Sequence, residues 1–75
     1  MNLICSLLLV ARTYAQHEGI AEATASKRIF NDGKRMRLLG AGTTLTIARY
    51  ERAMETLSVV WPADLAWPAN VPRPG

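Results

Sequence analysis

Side chains suited to catalysis are scarce in this chain. His17 is the only histidine and Cys5 the only cysteine. A serine or cysteine nucleophile needs a neighbouring base, and no serine lies in the Gly-x-Ser-x-Gly turn that activates one. His17 stands just before Gly19, near a predicted helix end, where a histidine suits the helix dipole as a surface residue. The six carboxylates are scattered along the chain, so no catalytic carboxylate pair is indicated, and we predict no enzyme.

Metal and cofactor sites find no support in the residue types either. One histidine and one cysteine cannot supply the four N or S ligands of a structural zinc site. The Gly40-Ala41-Gly42 segment lacks both the preceding strand and the Gly-Lys ending of a phosphate-binding loop. We interpret it as a helix end followed by a turn, and predict neither a metal nor a cofactor.

The positive charge of the chain is concentrated in one segment. The formal net charge is +3, and residues 20–37, with five basic and two acidic side chains, account for all of it. The basic residues are Lys27, Arg28, Lys34, Arg35 and Arg37. Such clustering favours binding to an anion, above all the phosphates of nucleic acid. A solvated charged face is the simpler alternative.

Apolar spacing predicts four helices, with the basic residues on the second and third. The predicted helices span residues 3–18, 21–30, 34–39 and about 45–61. Gly19 is expected to end the first helix, and Asn31-Asp32-Gly33 forms a tight turn before the third, with Asp32 as its N-cap. Two short helices joined by a tight turn are a candidate helix-turn-helix.

The fourth helix and the tail carry the large aromatic residues. Thr46 is expected to be the N-cap, and Pro62 ends the helix. The apolar seam of this helix consists of Ile47, Tyr50, Met54, Leu57 and Trp61. Four prolines favour an extended polyproline tail, which we expect to fold back on the core through Trp61, Leu65, Trp67 and Val71. Residues 73–75 are expected to be disordered.

These elements predict a small all-α bundle over residues 1–61, with a Pro/Trp-rich tail over 62–75 covering its core. The apolar run at residues 3–11 has no basic residue before it and is about half as long as a membrane span. We interpret it as part of a buried helix, and predict a cytoplasmic protein with no membrane contact in which Cys5 is a small buried hydrophobe.

In a helix-turn-helix the second helix lies in the major groove of double-stranded DNA and the first crosses the backbone. Lys27 and Arg28 would then contact phosphates, whereas Lys34, Arg35 and Arg37 would contact bases or phosphates. Arg35, at the start of the second motif helix, is placed for a bidentate contact to guanine.

Several segments of the sequence resemble a known family. They are Gly19-Ile20, Ala25-Ser26-Lys27-Arg28, Asn31-Asp32-Gly33-Lys34, Leu39-x-Ala41-Gly42, Leu45-Thr46 and Tyr50-Glu51-Arg52. Together they resemble the small Cro/repressor-like helix-turn-helix regulators of phages and mobile elements in proteobacteria. The resemblance covers about residues 5–61 and implies a DNA-binding regulator. The Trp61-Pro62 and Trp67-Pro68 ending is similar to that of small phage proteins of alphaproteobacteria, which implies no function.

A second hypothesis is an inhibitor or antiactivator that binds a protein. Repressor-type domains usually carry Gln or Thr at the start of the first motif helix, where this chain has Ile20-Ala21-Glu22. Trp61 and Trp67 could form a patch for a protein partner or be structural. A toxin–antitoxin component is a third hypothesis. On DNA we predict a homodimer, which contacts through the tail and the surplus apolar residues Leu3, Leu9 and Val10 of the first helix.

Overall fold

The computed structural model describes residues 3–74 of the chain. They contain four α-helices and no strand. The helices are α1 (Leu3–Glu18), α2 (Glu22–Phe30), α3 (Arg35–Gly40) and α4 (Ile47–Val60). The all-α prediction is confirmed, with helix ends shifted by one or two residues. None of these helices has the length and apolar character needed to cross a bilayer.

Helix α1 is the centre of the bundle and packs against α2, α3 and α4. Leu7 and Val10 are fully buried on it, so the expectation that Val10 is available for a dimer contact is wrong. Cys5 is exposed, so its predicted burial is wrong too. Both outcomes follow from helix geometry, because Val10 lies three residues from Leu7, on the same face, whereas Cys5 lies two residues from it, on the opposite side.

The end of α1 is set by Gly19, as the sequence predicts. Its φ of 67° is in the left-handed region, which glycine adopts without steric cost. The Gly19 N–H donates to the Gln16 carbonyl, and the Ile20 N–H donates to the Ala15 carbonyl. This pair of bonds satisfies the last carbonyls of the helix and turns the chain towards α2.

The turn between α2 and α3 is held by one buried side chain, Ser26. Its hydroxyl donates to the Asp32 carbonyl at 2.6 Å and accepts from the Met36 N–H at 3.0 Å. Asp32 is not the N-cap of α3; the N-cap residue is Lys34. The Asp32 carboxylate instead accepts from the Lys34 N–H at 2.9 Å, because the chain makes one more turn before α3 begins.

Helix α4 begins as predicted, because the Thr46 hydroxyl accepts from the Arg49 N–H at 3.2 Å. Its buried face is formed by Ala53, Met54 and Leu57. Ile47 is 70% exposed, so its placement in the apolar seam is wrong. It lies on the same stripe as Met54, seven residues away, but no neighbouring element within residues 3–74 covers its side chain.

The tail contains a repeated five-residue unit, Trp61-Pro62-Ala63-Asp64-Leu65 and Trp67-Pro68-Ala69-Asn70-Val71. In both units the N–H of the last residue donates to the proline carbonyl, at 3.2 and 3.1 Å. In both, the indole N–H donates to the carbonyl of the last residue, at 2.7 and 2.8 Å. Two turns thus replace the expected continuous polyproline segment, because each turn brings an apolar residue back to the core.

The end of the tail lies along α4. The Arg73 guanidinium donates to the hydroxyl and carbonyl of Ser58 at 3.0 and 2.9 Å, and the Ser58 hydroxyl donates to the Pro74 carbonyl. The Arg73 Cζ atom lies 5.2 Å from the centre of a Trp67 ring, within the range of a cation–π contact. Of the three residues expected to be disordered, Arg73 and Pro74 make these contacts, and Gly75 lies outside the described residues.

Candidate nucleic-acid interface

The five predicted basic residues fall into two groups by their contacts. Lys27, Lys34 and Arg37 are exposed, and their side chains make no hydrogen bond or ion pair within residues 3–74. Arg28 donates to the Tyr14 hydroxyl at 3.3 Å. Arg35 forms an ion pair with Asp32, with an N–O distance of 3.4 Å.

Helix α3 separates Arg35 from Arg37. Met36, between them, is fully buried, and at about 100° per residue the two arginines point about 200° apart. Arg35 faces a concavity beside α4, and Arg37 is not among the residues that line it. The five residues therefore do not form one continuous surface.

The concavity lies between α4, the end of α2 and the start of α3. Within residues 3–74 α3 packs on α1 and α2 but not on α4, and the gap between them has a volume of about 230 Å³. Four arginine residues line it, namely Arg28, Arg35, Arg49 and Arg52. We refer to it as the arginine cavity.

Arg49 and Arg52 were missed by the sequence analysis. Charge was counted by segment, and in residues 38–60 these two arginines are balanced by Glu51 and Glu55. On α4, however, the arginines lie on one flank of the buried face and the glutamates on the other. A helical-wheel projection, which sorts charges by direction, would have paired Arg49 with Arg52.

The arginine cavity is suited to an anionic ligand. The side chains of Arg49 and Arg52 have no acidic partner among the described residues, and Asp32 is the one carboxylate in the lining. Concave surfaces lined by one sign of charge focus the electrostatic potential, and guanidinium groups bind phosphate with paired hydrogen bonds. The apolar part of the lining comes from Ile29, Phe30, Leu45 and Ala53.

His17 connects α1 to the tail. Its Nδ1 lies 3.2 Å from Glu18 Oε2, and its Nε2 lies 3.2 Å from Asp64 Oδ2. The hydrogen bond to Glu18, with that to Asp64, raises the pKa of His17 above its ordinary value against the opposing effect of desolvation. Within residues 3–74 no three His, Cys, Asp or Glu side chains are grouped as ligands for a metal ion.

Trp61 and Trp67 make their contacts within the chain. Trp61 is 7% exposed, and its ring centre lies 6.3 Å from that of Tyr14 and 4.8 Å from that of Trp67. Trp67 is half-buried and packs against the core. The indole N–H groups are occupied by tail carbonyls, so neither is free to bond a partner.

A second surface feature is an apolar groove of about 400 Å³ on the other side of α4. Leu3, Tyr50, Met54, Pro72 and Pro74 contribute most of its apolar lining, and Glu51 and Glu55 contribute its acidic side chains. Neither glutamate forms an ion pair with the described residues.

Comparison of the chain with protein-family models, with curated proteins and with solved structures found no match.

Proposed function

We propose that this chain is a small DNA-binding regulator that acts in the cytoplasm, with α2, the turn at 31–34 and α3 as a helix-turn-helix. The observation that carries the proposal is the arginine cavity. Four arginine residues from three helices line this cavity, and two of them, Arg49 and Arg52, have no acidic partner in residues 3–74. Lys27 and Lys34, exposed on the same motif, extend the cationic surface.

The contacts distribute the roles differently from the sequence-based expectation. Arg35 is held by Asp32 at 3.4 Å and faces α4, so we assign it to phosphate instead of guanine. Arg37 is the exposed basic side chain within α3, and we assign the base contact to it, whereas we assign Lys34, the N-cap residue, to phosphate. Because α3 has six residues, it presents few side chains to bases, and most of the affinity comes from phosphates.

The proposal is tested by fluorescence anisotropy of a labelled DNA duplex. Lys27→Gln combined with Lys34→Gln should weaken binding to every sequence, roughly tenfold or more at low salt. Arg12→Gln, which also removes a positive charge, is the control, because Arg12 is exposed and lies outside the arginine cavity, and its one ion pair within residues 3–74 is with Glu22 at 3.9 Å. Equal affinity of all three proteins for every duplex would contradict the proposal.

The homodimer on DNA stays a prediction. Leu3 and Leu9, which are 57% and 39% exposed, are the apolar residues of α1 that a second copy could cover. Sedimentation of the DNA complex at saturating protein should give two copies per site. One copy per site would contradict the predicted dimer but not the proposed DNA contact.

A protein-binding inhibitor is the second candidate, and the apolar groove favours it. Glu51 and Glu55 contribute two negative charges to the apolar lining and Arg73 contributes one positive charge. The groove therefore suits an amphipathic helix with Lys or Arg beside its apolar face. Glu51→Lys combined with Glu55→Lys would reverse the charge of the two exposed acidic side chains along the groove and should abolish such binding. Titration calorimetry with a synthetic basic amphipathic peptide measures this binding. If the parent protein gives no heat of binding, this candidate is rejected.

A further inference from the structure

The arginine cavity has the size of a site for one small group. Its volume of about 230 Å³ is below the roughly 300–1,000 Å³ of pockets for drug-sized ligands. It stays open between α3 and α4, which do not pack against each other within the described residues. A tetrahedral anion with a short attached chain would fit this space.

The four guanidinium groups differ in how far the fold already occupies them. Arg28 is positioned by the Tyr14 hydroxyl at 3.3 Å and Arg35 by the Asp32 carboxylate at 3.4 Å. Arg49 and Arg52 make no side-chain bond with residues 3–74, although they lie one turn apart on the same flank of α4. The cavity thus has two oriented and two unoccupied cationic groups, each with several N–H donors.

We propose that the arginine cavity is a seat for a single phosphate group, bound by Arg49 and Arg52 and flanked by Arg28 and Arg35. Phe30 and Leu45 contribute apolar side chains to the lining, and a less polar surrounding strengthens ionic hydrogen bonds. The phosphate comes from the backbone of the DNA, in which case the inference rests on the proposed function, or from a free phosphomonoester.

The test is an NMR titration of the arginine side-chain Nε–H signals with inorganic phosphate, compared with sodium chloride at equal ionic strength. Phosphate should shift the signals of Arg49 and Arg52 with saturation, and chloride should not. Arg49→Gln combined with Arg52→Gln should weaken phosphate binding at least tenfold, whereas Arg12→Gln should leave it unchanged. Circular dichroism checks that the variants keep their helices.

A second titration, with a DNA duplex, identifies the source of the phosphate. If the duplex shifts the same signals and inorganic phosphate competes with it, the seat takes a backbone phosphate. If phosphate shifts them and the duplex does not, the ligand is a free phosphomonoester. If phosphate shifts no arginine signal more than chloride does, the proposed phosphate site is contradicted, even where the duplex still binds through Lys27 and Lys34. Failure of the duplex to bind at low salt overturns the proposed function alone.

Discussion

At the scale of single residues, the hydroxyl of Ser26 holds the α2–α3 motif together. It satisfies the Asp32 carbonyl and the Met36 N–H in a fully buried position. Ser26→Ala leaves both without a partner, and a buried unsatisfied group costs about 1–3 kcal/mol. We expect the free energy of unfolding, measured with urea, to fall by about that amount. Thr24→Ala on the exposed face of α2 is the control, and an equal loss in both variants would contradict this role.

His17 makes the stability of the protein depend on pH. Its pKa is raised in the folded state, chiefly by the hydrogen bond to Glu18 and also by Asp64, so its stabilising contribution is present below the ordinary pKa of about 6.5. This contribution is lost as pH rises through the folded-state pKa. The urea midpoint of the parent should fall from about pH 5.5 to about pH 8.5 relative to that of His17→Gln. Parallel pH profiles of the two proteins would show that the contacts of His17 to Glu18 and Asp64 carry no stability.

The buried serine shows where sequence analysis reaches its limit at this scale. The Asn31-Asp32-Gly33 turn and the Gly19 helix end were predictable, because local backbone geometry decides them. The role of Ser26 was not, because its partners lie six and ten residues further along the chain, and only the packing of α3 on α2 brings them together. Cys5 and Val10 were misplaced for a related reason, since a nearly continuous apolar run hides which face is buried.

At the scale of elements, the tail is fastened to the helices by its two tryptophans. Trp61→Ala removes a large side chain that is 7% exposed, and such changes cost about 3–5 kcal/mol, a large part of a small domain's stability. Trp61→Phe keeps most of the packing and loses the bond to the Leu65 carbonyl, at a cost nearer 1 kcal/mol. Thermal unfolding measures both. Val59→Ala, at a position 84% exposed, should leave the melting temperature unchanged.

An unchanged melting temperature in Trp61→Ala would contradict the packing of the tail. The order of the three variants in melting temperature is more informative, because it separates the stability due to the apolar area of the indole from that due to its hydrogen bond. If Trp61→Phe were as damaging as Trp61→Ala, the hydrogen bond to Leu65 would be the main fastening of the tail.

The helices were predictable from apolar spacing, whereas the parts of each helix that a neighbouring element buries were not. The period of α4 is clear in the sequence, yet Ile47 is exposed because no neighbouring element within residues 3–74 covers it. The arginine cavity depends on the same kind of information. Arg49 and Arg52 are distant from Arg28 and Arg35 along the chain, and the packing of α2 on α4 brings the two pairs together.

At the scale of the whole molecule, α4 has the arginine cavity on its cationic side, with four arginines and Asp32 in the lining, and the apolar groove on the other, with Glu51, Glu55 and Arg73. DNA binding through the cationic side must weaken steeply with salt, because each neutralised phosphate releases counterions. Three to five contacts per subunit give a log–log slope of roughly −3 to −5 for one copy and about double for a dimer. Arg49→Gln with Arg52→Gln should flatten the slope by about one per subunit, because the two arginines bind one phosphate. An unchanged slope would place the DNA contact elsewhere.

The two tail units give the protein an intrinsic optical reporter. Trp61 and Trp67 are its only tryptophans, and their ring centres lie 4.8 Å apart with planes inclined by 58°. Electronic transitions of rings at this distance and angle couple, so the circular dichroism of the indole bands should show a pair of signals of opposite sign. On warming, loss of this pair before the helical signal would mean that the tail detaches before the bundle unfolds.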